Sequence, residues 1–496
     1  MSSILPPATS IDVQVGTLDP IRGAAGGADV ARAGLVPGVP RHVHLLGAGG
    51  AGVSAAARVL LSRGHVVTGH DRAASPFTEV LAGLGLDLQL GDSVAEALPR
   101  QAEVVVRSVA VGLDDPQVVA AQGRGLAVLK YAELLGRLAP AGRTAAVAGT
   151  HGKTTTSWMV HHALAAGTGP RPGGIIGGLH QALRSNAVVP ERGGWFTVEA
   201  CEYDRSFLHL APTAAIVTNV EPDHLDVYGD LATLEAAFCR FVDRVHPNGL
   251  VVLGREVPDR VAHATRARVW RLGRELSLDL HGERRGRFTF SLRGPGWATP
   301  RVTLSVPGAF NVENAALAIA LAIGAHGVEP SRAAEAVAQF PGAGRRFEAW
   351  GAVGEVDVVH DYAHHPTEVR VTLEAARRAF PGRPLHVLFQ PHQHSRTARF
   401  MEDFVEALRG ADRVVVADVY GARRHIDLRE GADAHTLVTR LSRARVAAEE
   451  GGGPEAACRA FVAGLAPNSA ALVMGAGDID GIRDDLFDHL ALRFAR

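Results

Sequence analysis

Short apolar runs recur along the chain, and each is followed by a glycine-rich or polar turn and then by a segment with helical spacing. The run His42–Leu46 precedes a glycine turn and a helical stretch at 53–62, and residues 145–148 begin the same order again. Apolar runs bounded by turns predict buried strands. Further strands are predicted at 65–69, 104–106, 127–129, 195–199, 214–218, 250–253, 356–360, 384–390, 413–418 and 471–474.

The alternation of these strands with helices predicts an α/β protein with largely parallel, doubly wound sheets. Residues 283–306 alternate apolar and polar side chains instead, which predicts a small antiparallel addition. The 496 residues then divide at changes of composition and at the glycine-rich linker 341–344. The predicted parts are a flexible N-terminal extension at 1–40, a Rossmann-like domain at 41–141, a central ATP-binding domain at 142–340 and a C-terminal domain at 341–496.

The most informative motif is GTHGKTT at residues 149–155, between a predicted strand and a predicted helix. A helix N-terminus gathers backbone N–H groups, and its dipole favours anions. Lys153 adds a positive charge for a phosphate chain, and Thr154 adds a hydroxyl for Mg²⁺. The chain has one other lysine, Lys130, and otherwise uses arginine, which does not substitute freely for lysine beside a phosphate. The predicted ATP-binding loop comprises Gly149, Thr150, His151, Gly152, Lys153, Thr154 and Thr155.

This loop departs from the standard phosphate loop. That pattern has glycine five residues before Gly152, where this chain has Val147. A shortened loop indicates a particular subgroup of ATP users. The alternative is a chance glycine turn that carries a lysine.

A second glycine turn lies between the first predicted strand and helix. Its residues Gly47, Gly49, Gly50 and Gly52, with Asp71 after the next strand, follow the order of a dinucleotide-binding unit. A nicotinamide-dependent dehydrogenase would explain this turn but not the ATP-type loop. A nucleotide-bearing substrate explains both, because one loop would hold its diphosphate and the other ATP. The remaining alternative is a turn that only packs helix on strand.

Polar clusters follow several of the later strands, where open α/β sheets form their binding crevice. Glu199 begins the cluster EACEYD and is predicted to bind Mg²⁺, and His224 in the next cluster could bind a second Mg²⁺ or Mn²⁺. Cys201 is interpreted as a packing residue. Each cluster could also be a solvated polar turn.

Two loops of the third domain have the same position after a strand. Residues 360–366 bring together the carboxylate of Asp361, the phenol of Tyr362 and the imidazole of His364. Residues 390–397 contain Arg396, which could hold a carboxylate by a two-point contact. Either loop could instead be merely a polar turn.

Bulk composition excludes several classes of protein. A net charge of −1 gives no sign of a nucleic-acid binder, and the longest apolar stretch, 315–323, is too short for membrane insertion. The chain shows no signal peptide, and its three scattered cysteines fit a reducing cytoplasm. The oligomeric state, monomer or homodimer, stays open.

Taken together, these motifs resemble those of the Mur ligases, the ATP-dependent ligases of peptidoglycan synthesis, and in particular their alanine-adding branch. The similarity runs from about residue 41 to the C-terminus. Its markers are the glycine turn 47–52, the GTHGKTTT stretch 149–156, Glu199 with 206–210, the loop 218–224, Asn311 with Asn314, GRRF at 344–347, and 361–368.

The resemblance implies three domains, for UDP-substrate binding, ATP binding and amino-acid binding, the last with a dinucleotide-fold appearance. It implies that UDP-N-acetylmuramate and L-alanine are joined through an acyl phosphate, with ATP and Mg²⁺ or Mn²⁺ as cofactors. By position, Thr154, Glu199 and His224 serve the metals. Asn311 and Asn314 lie near the adenine, and Arg345 or Arg346 completes the nucleotide site with Asp361. Tyr362, His364 and Arg396 approach the alanine, with His364 as a candidate base.

Three positions depart from the family pattern. Phe310 stands where the family usually has His, and Gln393 where an Arg often helps to hold the amino-acid carboxylate. The cluster EACEYD replaces the common EADESD and is slightly similar to that of the recycling ligase, which attaches a whole murein tripeptide. That ligase stays an alternative of the same class. The dehydrogenase and a non-catalytic nucleotide-binding regulator are alternatives of other classes.

Overall fold

The computed structural model describes residues 34–421 and 432–494, which form three α/β units. Each unit is built on a mainly parallel sheet, so the predicted fold class is confirmed. Most of the predicted N-terminal extension lies outside the described residues. Of its last residues, Val36 and Val39 are buried, and the Val36 N–H donates to Nε2 of His65 at 2.9 Å.

The first unit has a parallel sheet of strand order β3-β2-β1-β4-β5. Its elements are β1 (His42–Leu46), α1 (Ala51–Ser62), β2 (Val66–Asp71), α2 (Pro76–Gly83), β3 (Asp87–Leu90), β4 (Val104–Arg107), α3 (Pro116–Gly123), β5 (Ala127–Lys130) and α4 (Tyr131–Leu138). The central strand β1 is buried and ends at the glycine turn before α1. This turn therefore lies at the carboxyl edge of the sheet.

The middle unit has a seven-stranded sheet of order β12-β11-β10-β6-β9-β7-β8, antiparallel only between β7 and β8. Its main elements are β6 (Thr144–Ala148), α5 (Lys153–Ala165), β7 (Gly173–His180), β8 (Ser185–Val188), β9 (Phe196–Glu199), β10 (Ala214–Val217), α6 (Leu225–Tyr228), α7 (Leu231–Asp243), β11 (Leu250–Leu253), α8 (Asp259–His263), β12 (Arg268–Arg271), α9 (Ala309–His326) and α10 (Pro330–Ala338). The predicted antiparallel addition is a separate small sheet of β13 (Ser277–Arg284), β14 (Arg287–Gly294), β15 (Trp297–Ala298) and β16 (Val302–Thr303).

Helix α9 has the length and apolar composition of a membrane-spanning helix, and 61% of it is buried inside the protein. It packs against α5, β10 and β11. Burial in the core of the middle unit accounts for its apolar composition.

The third unit has a six-stranded sheet of order β17-β18-β22-β19-β20-β21, with β17 antiparallel at one edge. Its elements are β17 (Glu348–Val353), β18 (Val356–Asp361), α11 (Pro366–Ala379), β19 (Leu385–Gln390), α12 (His394–Arg399), α13 (Met401–Leu408), β20 (Arg413–Ala417), α14 (Ala434–Arg443), β21 (Ala448–Gly452), α15 (Pro454–Ala463), β22 (Ala470–Gly475) and α16 (Arg483–Phe494). The strands β3, β7, β8, β12, β17 and β21, which lie at or near the edges of the three large sheets, were not predicted from the sequence.

A buried arginine ties together the strands that carry the third unit's polar loops. Arg383 Nη1 lies 2.5 Å from Asp357 Oδ2, and both side chains are 7% exposed. The same guanidinium donates to the carbonyls of Glu355, Asn468 and Ser469 at 2.6, 3.1 and 2.5 Å. Asp357 belongs to β18, whose last residue is Asp361, so this contact helps to fix the position of the site.

We expect Arg383→Ala to lower the free energy of unfolding of the third unit by about 3–5 kcal/mol, because it leaves a buried carboxylate unpaired. The control Arg370→Ala removes an exposed (i, i+4) pair with Glu374 and should cost no more than about 0.5 kcal/mol. Urea unfolding followed by circular dichroism measures both. Equal midpoints for the two variants would contradict the structural role of Arg383.

Candidate functional site

The loop between β6 and α5 contains two glycines in left-handed backbone conformations. The φ angles are 135° at Gly149 and 79° at Gly152. A Cβ at Gly149 would clash with Thr218 Oγ1, and one at Gly152 would lie 2.8 Å from Asn314 Oδ1. Both positions therefore require glycine.

Asn219 braces this loop from the end of β10. Its carbonyl accepts the Thr150 N–H at 3.1 Å, and its Oδ1 accepts the His151 N–H at 2.8 Å. Thr218 Oγ1 donates to the His151 carbonyl at 2.6 Å. The loop is thus held open at the N-terminus of α5, where the first-turn amides point toward the space in front of the helix.

Lys153 is the first residue of α5, and its charge has a carboxylate partner. The ammonium lies 3.0 Å from Glu202 and donates to the carbonyls of Gly149 and Thr150 at 2.7 and 2.9 Å. Burial alone would lower the pKa of Lys153, but the negative charge of Glu202 raises it above its usual value. The sequence reasoning assigned no role to Glu202, although it belongs to the carboxylate cluster that begins at Glu199.

Glu199 and Thr154 each pack closely against a glycine of β7, on opposite faces of the strand. A Cβ at Gly177 would lie 2.8 Å from both Glu199 carboxylate oxygens, and one at Gly178 would lie 2.8 Å from Thr154 Cγ2. The Gly177 N–H donates to Glu199 Oε2 at 2.8 Å. The hydroxyl of Thr154 and the carboxylate of Glu199 are hard oxygen donors, which Mg²⁺ prefers.

His224 lies close to two carboxylates, those of Glu202 and Asp223. Its Nε2 is 3.6 Å from Glu202 Oε1 and 3.7 Å from Asp223 Oδ2. The ring also packs edge-to-face on Tyr203, with centroids 5.1 Å apart. An imidazole beside oxygen donors is compatible with Mn²⁺ as well as Mg²⁺. Burial raises the pKa of the neighbouring Cys201 thiol, which agrees with a packing role rather than a nucleophilic one.

A cavity of about 240 Å³ lies between the middle and third units, in front of the phosphate loop. Residues from both units line it. Those predicted from the sequence are His151, Gly152, Thr155, Asn311, Asn314, Arg346 and Asp361.

The two predicted asparagines of α9 form one wall of this cavity. Asn311 Nδ2 donates to the Pro307 carbonyl at 2.6 Å, and Asn314 Nδ2 donates to Asn311 Oδ1 at 3.2 Å. Phe310, which departs from the family pattern, also lines the cavity. Its ring contributes an apolar surface beside these amides.

Asp361 and Arg346 come to the same cavity from the third unit. Asp361 accepts the N–H groups of Phe347 and Ala363 at 2.7 and 2.8 Å, and burial raises its pKa to about 6. The Arg346 guanidinium lies 5.1 Å from the centre of the Tyr362 ring. Arg345 lies over the same ring at 4.5 Å, but it donates to the Gly477 carbonyl and does not line the cavity.

His151 connects the phosphate loop with the third unit. Its ring nitrogens lie 3.5 Å from Glu221 and 3.4 Å from Glu368. Burial would lower the pKa of His151, but these two carboxylates outweigh burial and raise the pKa to about 9. Thr367 Oγ1 also donates to Glu221 Oε2 at 2.9 Å. Two contacts, His151 with Glu368 and Thr367 with Glu221, therefore cross the boundary between the middle and third units.

Glu368 belongs to the motif 361–368, and the sequence alone predicts no separate role for it. In the structure it connects several residues at the boundary between the middle and third units. It is the third residue of α11, and its carboxylate accepts the N–H groups of His364 and His365 in a capping box. It also lies 3.6 Å from Arg346 Nη1. Although burial favours the neutral acid, His364 and His151 hold the pKa of Glu368 well below its usual range.

The residues predicted for the amino acid form a chain of contacts in the third unit. The His364 ring lies 5.3 Å from Tyr362 and 5.7 Å from His392, and His392 Nδ1 lies 3.2 Å from Arg396 Nη1. Arg396 Nη2 lies 2.8 Å from Asp223 Oδ1 of the middle unit, with both side chains buried. Arg396 therefore pairs with a carboxylate of the protein itself through one contact, and its predicted two-point contact with the carboxylate of the amino acid stays a prediction.

The glycine turn of the first unit packs tightly at four points. A Cβ at Gly47 would lie 2.8 Å from Ser108 Cβ, and a Cβ at Gly49 would lie 2.9 Å from Asp71 Oδ2. A Cβ at Gly50 would lie 3.3 Å from the Gly47 carbonyl, and a Cβ at Gly52 would lie 2.7 Å from the Tyr131 ring. Asp71 Oδ2 accepts the Gly49 N–H at 2.7 Å, so the structure uses this carboxylate to brace the turn.

The same turn faces the middle unit. Asn186 Nδ2 donates to the Ala51 carbonyl at 2.7 Å, and Arg58 Nη1 donates to Ser185 Oγ at 2.7 Å. Burial raises the pKa of Tyr131, and the nearby charge of Glu199 raises it further. Tyr131, whose ring lies against Gly52 at the N-terminus of α1, is therefore close enough to Glu199 to be affected by its charge.

Comparison with known proteins relates the whole described architecture to one family. Three family models match in succession: "Mur ligase family, catalytic domain" at 42–143, "Mur ligase middle domain" at 147–322 and "Mur ligase, glutamate ligase domain" at 345–477. A UDP-N-acetylmuramate--L-alanine ligase from Salinibacter ruber is 41% identical over 392 residues, 77% of this chain and 81% of that protein. One from Kineococcus radiotolerans is 40% identical over 470 residues, 92% and 98% of the two chains.

Solved structures agree with these relatives. A crystal structure of UDP-N-acetylmuramate-alanine ligase from Thermotoga maritima has a TM-score of 0.75 at 27% identity and covers 90% of this chain and 98% of its own. A murein peptide ligase from Psychrobacter arcticus has a TM-score of 0.67 at 23% identity over 91% and 99% of the two chains, a similarity of fold.

The raised pKa of His151 predicts a pH-dependent stability. Its contribution is fully present below the unfolded value of about 6.5 and is lost as the pH rises through about 9, a difference of up to ~3 kcal/mol. His151→Gln should therefore destabilise the protein at pH 6.5 and much less at pH 10. Thermal unfolding across this range measures the difference. The control His281→Gln removes an exposed histidine and should keep the wild-type profile, and a pH-independent effect of His151→Gln would contradict the assignment.

Proposed function

This chain belongs to the Mur ligase family, and from this premise we propose how its residues join L-alanine to UDP-N-acetylmuramate in peptidoglycan synthesis with cleavage of ATP. The resemblance of the motifs is thereby confirmed, and the chain is an ATP-dependent ligase. One observation carries the proposed mechanism. The lysine-bearing phosphate loop of the middle unit and the pair Arg346 and Asp361 of the third unit line a single cavity.

ATP occupies this cavity in the proposed mechanism, with its phosphates at the loop 149–155 and its adenine near Asn311 and Asn314. The positive φ angles of Gly149 and Gly152 and the N-terminus of α5 support the phosphate position. Lys153 turns from Glu202 toward the phosphates, so one anionic partner replaces another. Arg346 adds a second cation from the third unit. The guanidinium groups of Arg345 and Arg346 both pack on the Tyr362 ring, so Arg345 helps to hold that ring in place.

Thr154, Glu199 and His224 would hold Mg²⁺ or Mn²⁺. The fit rests on the chemistry of these donors: Thr154 and Glu199 offer the oxygen ligands that Mg²⁺ prefers, and His224 Nε2 lies 3.6 Å from a carboxylate oxygen of Glu202. A bound divalent ion supplies charge neutralisation on the phosphate oxygens. The chain's own cations, Lys153 and Arg346, do the same from the other sides.

The chemistry proceeds in two displacements. The lactoyl carboxylate oxygen forms a bond to the γ-phosphorus of ATP, the bond to the ADP oxygen breaks, and an acyl phosphate results. The neutral amine of L-alanine then attacks the acyl carbon, phosphate leaves, and the amine gives up a proton. His364, which lies 3.1 Å from Glu368, is the proposed acceptor of that proton.

Tyr362, His364 and Arg396 form the proposed alanine site. Arg396 is suited to hold the amino-acid carboxylate because it already pairs with the carboxylate of Asp223. Gln393 precedes α12 as its N-cap residue, has a φ of 68° and supplies no charge, so the proposed clamp has a single arginine.

The first unit is the proposed site of UDP-N-acetylmuramate. Gly47, Gly49, Gly50 and Gly52 open the N-terminus of α1 to its diphosphate, and Asp71 acts by bracing the turn. Three free cysteines support the proposal that the chain works in the cytoplasm.

Amino-acid-dependent phosphate release tests this function. Purified protein with UDP-N-acetylmuramate, MgATP and L-alanine should release phosphate and form UDP-N-acetylmuramoyl-L-alanine. Replacing L-alanine with the murein tripeptide should give less than a tenth of that rate. Turnover with the tripeptide alone would favour the recycling ligase, and NADH binding without phosphate release would favour a dehydrogenase.

Lys153→Ala should abolish ATP consumption and leave UDP-substrate binding within about twofold, because Lys153 serves the phosphate transfer and not the first unit. The matched control is Lys130→Ala, which removes the other lysine of the chain, a half-exposed partner of Asp204 worth at most about 1 kcal/mol. The control should retain most of the activity. Phosphate release and calorimetric titration of the UDP substrate measure the two effects, and retained turnover in Lys153→Ala would remove Lys153 from the mechanism.

A further inference from the structure

A second cavity, of about 440 Å³, lies beside the nucleotide cavity and is open to solvent. It is bordered by the β13–β14 hairpin, the linker between the middle and third units, and the end of α11. Four arginines line it: Arg284, Arg285, Arg287 and Arg346. Neither aspartate nor glutamate is among the described residues that line it.

This positive charge is a local excess. The whole chain has 51 basic and 52 acidic side chains, so a lining of four cations without an acid does not follow from composition. Within the described residues, Arg284, Arg285 and Arg287 make no side-chain ion pair. The adjacent Glu283 lies 3.5 Å from Arg378 Nη1 and accepts the Gly286 N–H, so its charge is engaged elsewhere.

The rest of the lining fits a ligand that is only partly ionic. Thr303 and Ser305 line one side, where their hydroxyls bond to Thr289 Oγ1 and to the Ala338 carbonyl, and Phe347 and Phe380 supply apolar surface. Guanidinium groups bind phosphate oxygens with two parallel hydrogen bonds.

We propose that this pocket binds a phosphorylated small molecule at a site separate from the nucleotide cavity. Arg284, Arg285 and Arg287 hold the phosphoryl groups, and the apolar wall holds the remainder of the ligand. Arg346 and Phe347 line both cavities, so an occupant of the second pocket touches residues of the nucleotide site.

Calorimetric titration with inorganic pyrophosphate tests the proposal. The protein is first saturated with a non-hydrolysable ATP analogue, UDP-N-acetylmuramate and excess Mg²⁺, so that the nucleotide cavity and the proposed diphosphate site of the first unit are both filled. Pyrophosphate should still bind to this complex. Arg284→Gln combined with Arg287→Gln should weaken that binding at least tenfold and leave the KM for ATP within twofold.

The control combines Arg293→Gln and Arg301→Gln, which remove the same charge near the same small sheet but outside the pocket. It should bind pyrophosphate as the wild type does. Absence of pyrophosphate binding to the analogue complex would overturn the proposal, as would an equal loss in the control. A second readout needs no variant: pyrophosphate should protect Arg284 and Arg287 from phenylglyoxal, and unprotected modification would also overturn it.

Discussion

Positive charge that is removed from water needs a partner, and this requirement governs the whole site. Each buried cation near the phosphate loop faces a carboxylate, because an isolated charge in the interior is far too costly. The pairs are Lys153 with Glu202, His151 with Glu221 and Glu368, and Arg396 with Asp223. In the proposed mechanism, substrate phosphate and carboxylate groups take the place of the protein carboxylates that pair with Lys153 and Arg396.

Two of these sets of pairs cross the boundary between the middle and third units, so charge compensation also holds these two units together beside the cavity. The link through Glu368 is the central one, since this residue caps α11 and contacts both His151 and Arg346. A displacement of the third unit would leave several buried charges unpaired at once. In the proposed mechanism this arrangement couples the position of the nucleotide to that of the third unit, which suits a reaction whose acyl phosphate must be kept from water.

The glycines show how far local reasoning reaches. The positive φ angles at Gly149 and Gly152 follow from a turn that the motif already indicated, and the Rossmann-like turn of the first unit was recognised in the same way. Gly177 and Gly178 carried no such signal, because they are required by distant residues: a Cβ would meet the Glu199 carboxylate at the first position and the Thr154 methyl group at the second. Asp71 was predicted from the dinucleotide pattern to face a ligand, yet its carboxylate accepts a backbone N–H of the turn.

The amino-acid sequence by itself determined the alternation of strands and helices, the central strands of the three large sheets, the glycine-rich loop before α5 and the family, because these depend on periodicity and on short contiguous motifs. It did not determine which carboxylate faces which cation. Glu202 lies 49 residues from Lys153, and Asp223 lies 173 residues from Arg396. Only the packing of the units brings such groups together, since a pairing between distant residues has no local spacing that could reveal it.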